Sequence, residues 1–119
     1  MSKQIKLMTD YYCYPLWWMG GQEIGDIDPK TLPLSQELIK SLEQWQNGYD
    51  AILDLEDPAS SGFKTLSQEE EFEQEGIRLW QKLKQELAPE YTVFYFSDRL
   101  QKIITDPEEL QQKMNVKTA

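Results

Sequence analysis

The apolar residues Leu38, Ile39, Leu42, Trp45, Tyr49, Ile52 and Leu53 recur at spacings of three and four, a period that puts them on one stripe of an α-helix of about five turns. A second stripe, Phe72, Gly76, Leu79, Trp80, Leu83 and Leu87, repeats the pattern before Pro89 ends it. A helix with a single apolar stripe must bury it against another layer. Two such helices in one chain therefore call for a shared surface, and residues 91–96, Tyr-Thr-Val-Phe-Tyr-Phe, supply it, because nearly all of these side chains favour pleated backbone. The unbroken apolar run predicts burial on both faces or beside another layer, rather than an exposed edge.

Residues 5–8 make a second strand candidate, with Ile5 and Leu7 alternating about Lys6. The fold class expected is α+β: two long amphipathic helices packed on a small sheet formed by the N-terminal and C-terminal strands, with a short terminal helix opened by Asp106 and Pro107. A lone pair of strands is marginal, so the aromatic segment 11–18 or another short stretch is expected to add a third. The relative direction of the two terminal strands stays open.

Local signals sharpen the helix starts. Ser35 reads as an N-cap, with Leu34 placed to staple onto Ile39. Ser67 stands three residues before Glu70, a capping-box spacing, and the nearby carboxylates suit the positive end of a helix dipole. Phe63 and Leu66 are expected to pin the preceding loop to the core. Gly48 weakens the first helix by about 1 kcal/mol relative to Ala and suggests a close approach by another element.

With 119 residues, the chain is expected to form one domain over 1–119, ordered over about 4–112, large enough for a single core. Its formal net charge is -9, and residues 41–77 hold one basic side chain against ten acidic ones. That imbalance argues against nucleic acid and anionic membrane as partners, since both are bound through clustered Lys and Arg. Cys13 is the single cysteine and there is no histidine, which leaves neither a disulfide framework nor a zinc site. No apolar run approaches the roughly 20 residues of a membrane span, and the first residues lack a signal-peptide core. A cytoplasmic chain without a cofactor is the expectation.

Catalytic constellations are thin. Cys13 has no histidine to serve as its base, so a structural role is the plainer reading. Gly20, Gly21 and Gly25 lack the context of a phosphate loop. Asp10, Asp26 and Asp28, with Glu37, could converge as paired acids or hold magnesium, but linear spacing fixes neither separation nor pKa.

Two features point to binding instead. Tyr11, Tyr12, Tyr14, Trp17 and Trp18 are too many large rings for one strand face, and those left outside the core would resemble interface anchors. Asp50, Asp54, Glu56 and Asp57 gather near one helix end, while Glu69, Glu70, Glu71, Glu73 and Glu75 decorate the start of the next. Antiparallel helices would bring both groups to one end of the molecule and focus negative potential there.

The run Asp10-Tyr11-Tyr12-Cys13-Tyr14-Pro15-Leu16-Trp17, followed by Asp28-Pro29 and Leu32-Pro33-Leu34-Ser35, resembles a group of small bacterial proteins of unknown function. The resemblance continues through Trp45, Tyr49, Asp57-Pro58, Ser61-Gly62-Phe63 and Glu75-Gly76 to residues 91–96. It implies a bacterial origin and no assigned role. In size and charge the chain is also similar to toxin-neutralising immunity proteins. The leading expectation is a non-enzymatic protein-binding module, an inhibitor or immunity-like factor for a basic protein partner. Its site would comprise Asp50, Asp54, Glu56, Asp57, Glu70, Glu71 and Glu73, with Tyr12, Tyr14 and Trp18 as aromatic anchors. The alternative is a small magnesium-dependent hydrolase using Asp10, Asp26 or Asp28.

Overall fold

The computed structural model describes residues 3–21, 23–53 and 62–104. Strand β1 (Lys3–Leu7) is followed by β2 (Leu16–Trp18), β3 (Asp26–Ile27), a 3-10 turn (Pro29–Thr31), helix α1 (Gln36–Asp50), helix α2 (Leu66–Leu87), β4 (Tyr91–Ser97) and β5 (Lys102–Ile104). The sheet order is β3-β2-β1-β4-β5. β1 and β4 run parallel at its centre, with Ile5 opposite Val93 and Leu7 opposite Tyr95, while the other pairs are antiparallel. The two helices form the crossover between the parallel strands, as parallel pairing requires.

The expected α+β architecture is the one observed, and the aromatic segment does contribute a strand at Leu16–Trp18. One sheet face carries Ile5, Leu7, Leu16, Ile27, Val93, Tyr95 and Ile104, which join Leu38, Leu42, Trp45, Leu79, Trp80, Leu83 and Leu87 of the helices in a single core. Of the two arrangements expected for residues 91–96, the strand takes the second, inside the sheet and beside the helical layer: Val93, Tyr95 and Ser97 are buried whereas Phe94 and Phe96 are only half-buried. Both helices lie on one side, so the strand alternates in the ordinary period-two manner.

Ser35 caps α1 as expected, its hydroxyl accepting from Leu38 N at 3.2 Å. The helix stops at Asp50, about a turn short of the full apolar stripe. At α2 the cap lies two residues earlier than expected. Thr65 Oγ1 accepts from Gln68 N at 3.1 Å, and Gln68 Oε1 accepts from Lys64 N at 3.3 Å, so Thr65 and Gln68 take the parts assigned to Ser67 and Glu70. Leu66, expected to pin the loop, is 58% exposed, while Phe63 does pack, its ring 5.0 Å from that of Phe72. The tight approach is at Gly76 rather than Gly48. A Cβ there would lie 2.7 Å from both Trp45 Cζ2 and the Tyr95 hydroxyl, whereas one at Gly48 would meet nothing within 4 Å. The terminal helix expected after Asp106 falls outside the described residues.

Candidate functional site

The carboxyl ends of the parallel strands β1 and β4 point to the same end of the molecule, where α1 finishes and α2 begins. The loop of residues 8–15, after β1, crosses the end of α1 there. Asp10 starts it by turning the chain: Oδ1 accepts from Tyr11 N at 2.8 Å and its carbonyl accepts from Cys13 N at 3.2 Å, an arrangement open to a short acidic side chain. Tyr12 follows with φ +59°, a left-handed backbone that non-glycine residues hold only under support.

Two aspartates from other elements provide that support. Asp50 Oδ1, in the last turn of α1, accepts from Tyr12 N at 2.7 Å, and Asp26 Oδ2, on β3, accepts from Tyr14 N at 2.9 Å. Gln46 completes the attachment, its Nε2 donating to the Asp10 carbonyl at 2.8 Å and to Asp50 Oδ1 at 2.9 Å. With the backbone so held, the side chains of Tyr12 and Tyr14 turn outward, 68% and 46% exposed. Tyr11 turns inward and packs on Tyr49 with ring centroids 4.7 Å apart.

Between the loop and α1 lies a groove of about 500 Å³, lined by Tyr12, Tyr14, Asp26, Glu43, Gln46 and Asp50 among others. No lysine or arginine of the described residues lines it. Its thiol, Cys13, has a pKa pushed up by burial first and then by Asp10, Asp26 and Asp50. The carboxylates therefore crowd negative charge at this end. Asp98, in the turn after β4, adds to it and has its own pKa raised, chiefly by burial and further by Glu69 and Asp10. The Tyr49 hydroxyl, 3.5 Å from Asp98 Oδ1, is pushed well above its usual value by burial and by that neighbour.

Of the residues expected in the site, Tyr12, Tyr14 and Asp50 come together at the groove. Glu70 stands on α2 with Oε1 3.8 Å from Arg99 Nη1, and Glu71 is exposed beside it. Glu73 is not on the surface with them. It is 2% exposed and accepts from the Tyr95 hydroxyl at 2.5 Å and the Ser97 hydroxyl at 3.0 Å, because its helical position faces β4. Trp18 lies toward the opposite end of the β1–β2 pair, opposite Ile5, with the Lys3 ammonium 5.5 Å from its ring centroid. Asp54, Glu56 and Asp57 lie outside the described residues.

The acids expected of a hydrolase have structural duties. Asp26 holds Tyr14, Asp10 turns the loop, and Asp28 caps the 3-10 turn by accepting from Lys30 N at 3.0 Å. Among the described residues no three Asp, Glu, Cys or His side chains gather closely enough to hold a metal ion. Gln46 and Glu43 are groove residues that sequence reasoning passed over. Gln46 left a trace: it falls four residues after Leu42, on the apolar stripe, where a polar side chain needs a reason.

No helix of the described residues is long and apolar enough to cross a membrane. Comparison with curated proteins finds no match. A family model described as Serratia CdiI immunity protein-like matches residues 3–98, most of the chain, and the chain belongs to that family.

Proposed function

We propose that this chain is a non-enzymatic immunity protein that binds a basic protein toxin, and that the groove beside Tyr12 and Tyr14 is its contact surface. Family membership supports the toxin-binding role. The observation that carries the surface is the pair of outward-turned tyrosines on a loop fastened by Asp26, Gln46 and Asp50. Rigid, amphipathic rings lose little conformational entropy on binding and commonly dominate interface energetics. The surrounding carboxylates would steer a basic surface toward them and speed encounter, more so at low salt. Glu70 and Glu71 extend the acidic surface; Trp18, at the far end of the β1–β2 pair, is not required for this contact.

Affinity isolation from a native lysate at low and moderate salt tests the reading. A retained polypeptide should inhibit growth when expressed alone and lose that effect when this chain is co-expressed. Tyr12→Ala should weaken the complex by roughly 30-fold or more, as expected of a hot-spot residue, and Glu43→Lys should slow association. A toxin held equally well by both variants would place the contact elsewhere. Failure to retain or neutralise any toxin would sink the immunity reading itself.

A further inference from the structure

The two faces of the sheet are unequally covered. Both helices sit on the face that carries Ile5, Leu7, Val93 and Tyr95. Alternation along the strands puts Lys6, Trp17, Phe94, Phe96 and Ile103 on the other face. There Lys6 is the cross-strand neighbour of both Trp17 and Phe94, and Phe96 is that of Ile103. All of them are half-buried, and the apolar ones stand outside the core. The Lys6 ammonium lies 5.8 Å from the Phe96 ring centroid and makes no ion pair among the described residues. An apolar sheet face is ordinarily buried against another layer. Any layer placed here takes water from the ammonium and must bring a carboxylate in exchange.

The chain itself carries such a cover. β5 ends at Ile104, opposite Tyr95 on the edge of the sheet, so the chain passes on from there beside Phe94, with Lys6 one strand beyond. The residues that follow, 105–119, lie outside the described residues. Within them Asp106, Leu110 and Met114 recur at intervals of four, which on a helix opened by Asp106 and Pro107 sets a carboxylate and two apolar side chains on one side. A helix over 107–117 would be about 16 Å long, against roughly 14 Å from β2 to β5 across the sheet. A second copy suits the face less well. Stacked face to face, it would set lysine toward lysine and add the repulsion between two chains of net charge -9.

We infer that residues 105–119 dock on this outer face of the sheet, laying Leu110 and Met114 over Trp17, Phe94 and Phe96 and bringing Asp106 to the Lys6 ammonium. The docked segment completes a third layer. It is independent of the toxin-binding reading, whose groove lies at the strand ends, and either can fail alone.

Paramagnetic relaxation in the whole isotope-labelled chain provides the test. A nitroxide is attached to the thiol of Met114→Cys, with Cys13→Ser removing the native thiol. Its broadening falls steeply with distance, and the helices lie about 10 Å further away than the sheet. The amides of Lys6, Phe94 and Phe96 and the Trp17 indole should therefore broaden at least about fivefold more than the amides of Leu42 and Leu83. Lys6→Glu should reduce that broadening at least about threefold, since the carboxylates then repel. Leu110→Asp should reduce it as well, with the amide shifts of Tyr12 and Tyr14 unchanged. Uniform weak broadening, or broadening that survives both substitutions, overturns the docking. The same nitroxide carried by an isotope-free copy mixed with the labelled chain should broaden nothing; broadening of the outer face in that mixture would assign it to a second copy and overturn the inference.

Discussion

The Tyr95 hydroxyl donates a 2.5 Å hydrogen bond to Glu73 Oε1 inside the protein, joining the middle of α2 to the central strand β4. Ser97 donates to the second oxygen at 3.0 Å, so a carboxylate that would otherwise be stranded in the core holds two neighbouring hydroxyls. Glu73→Ala should leave both hydroxyls without their acceptor and destabilise the fold by about 2–5 kcal/mol. Urea unfolding measures this directly, and an unchanged midpoint would show that the pair contributes nothing.

The same carboxyl should shape the response to pH. Its pKa is raised, by burial first and then by Asp98, against the lowering effects of Tyr95, Ser97 and Arg99. The folded chain therefore keeps the proton at pH values where the unfolded chain has released it, and that proton favours folding. The contribution is present in full below the ordinary carboxylate range and is lost as pH rises through the raised value. Asp98, also raised, acts in the same direction. Glu73→Gln, which cannot titrate, should flatten this part of the stability profile. A mutant profile parallel to that of the parent protein would refute the assignment to Glu73.

Gly76 permits a close crossing. Trp45 is held by its Nε1 donating to the Phe72 carbonyl at 3.0 Å, and Tyr95 by Glu73, so neither ring can easily withdraw from an added methyl group. Gly76→Ala should gain about 1 kcal/mol in helix propensity and lose more to overpacking, which typically costs about 1–3 kcal/mol. A lower melting temperature is expected. Stabilisation by the alanine would mean that the rings yield freely.

Cys13 should be a sluggish nucleophile. Its thiol is pushed up by burial and by Asp10, Asp26 and Asp50, which reduces the thiolate fraction at neutral pH. Alkylation at pH 7.5 should run slower than for a free cysteine and faster in Asp26→Asn, which keeps an acceptor for Tyr14 N while removing charge. Rapid alkylation of the parent chain would contradict the electrostatic picture of the groove.

The loop attachment makes its own prediction. Asp50→Ala removes the acceptor shared by Tyr12 N and Gln46 Nε2, so the left-handed backbone at Tyr12 loses its support. Amide hydrogen exchange at Tyr12 should accelerate and toxin affinity should fall, whereas Asp50→Asn, retaining a carbonyl acceptor, should preserve more of both. Identical exchange in the two variants would remove Asp50 from this role.

The chain alone determined its fold class, because the apolar periods of α1 and α2 and the β-favouring residues of β4 are local signals that any packing must respect. Ser35 was readable for the same reason, a cap acting within one turn. The resemblance read from the 10–17 run carried no role, whereas the family model that matches residues 3–98 is immunity protein-like. Tertiary structure decided the rest. The direction of β1 against β4 depends on how the crossover packs, and the burial of Glu73 depends on Tyr95 and Ser97 arriving from a distant strand. The groove was illegible for that reason: Asp26, Gln46 and Asp50 acquire their function by holding backbone groups of the 8–15 loop, and contacts spanning 12, 36 and 38 positions leave no periodic mark on the sequence.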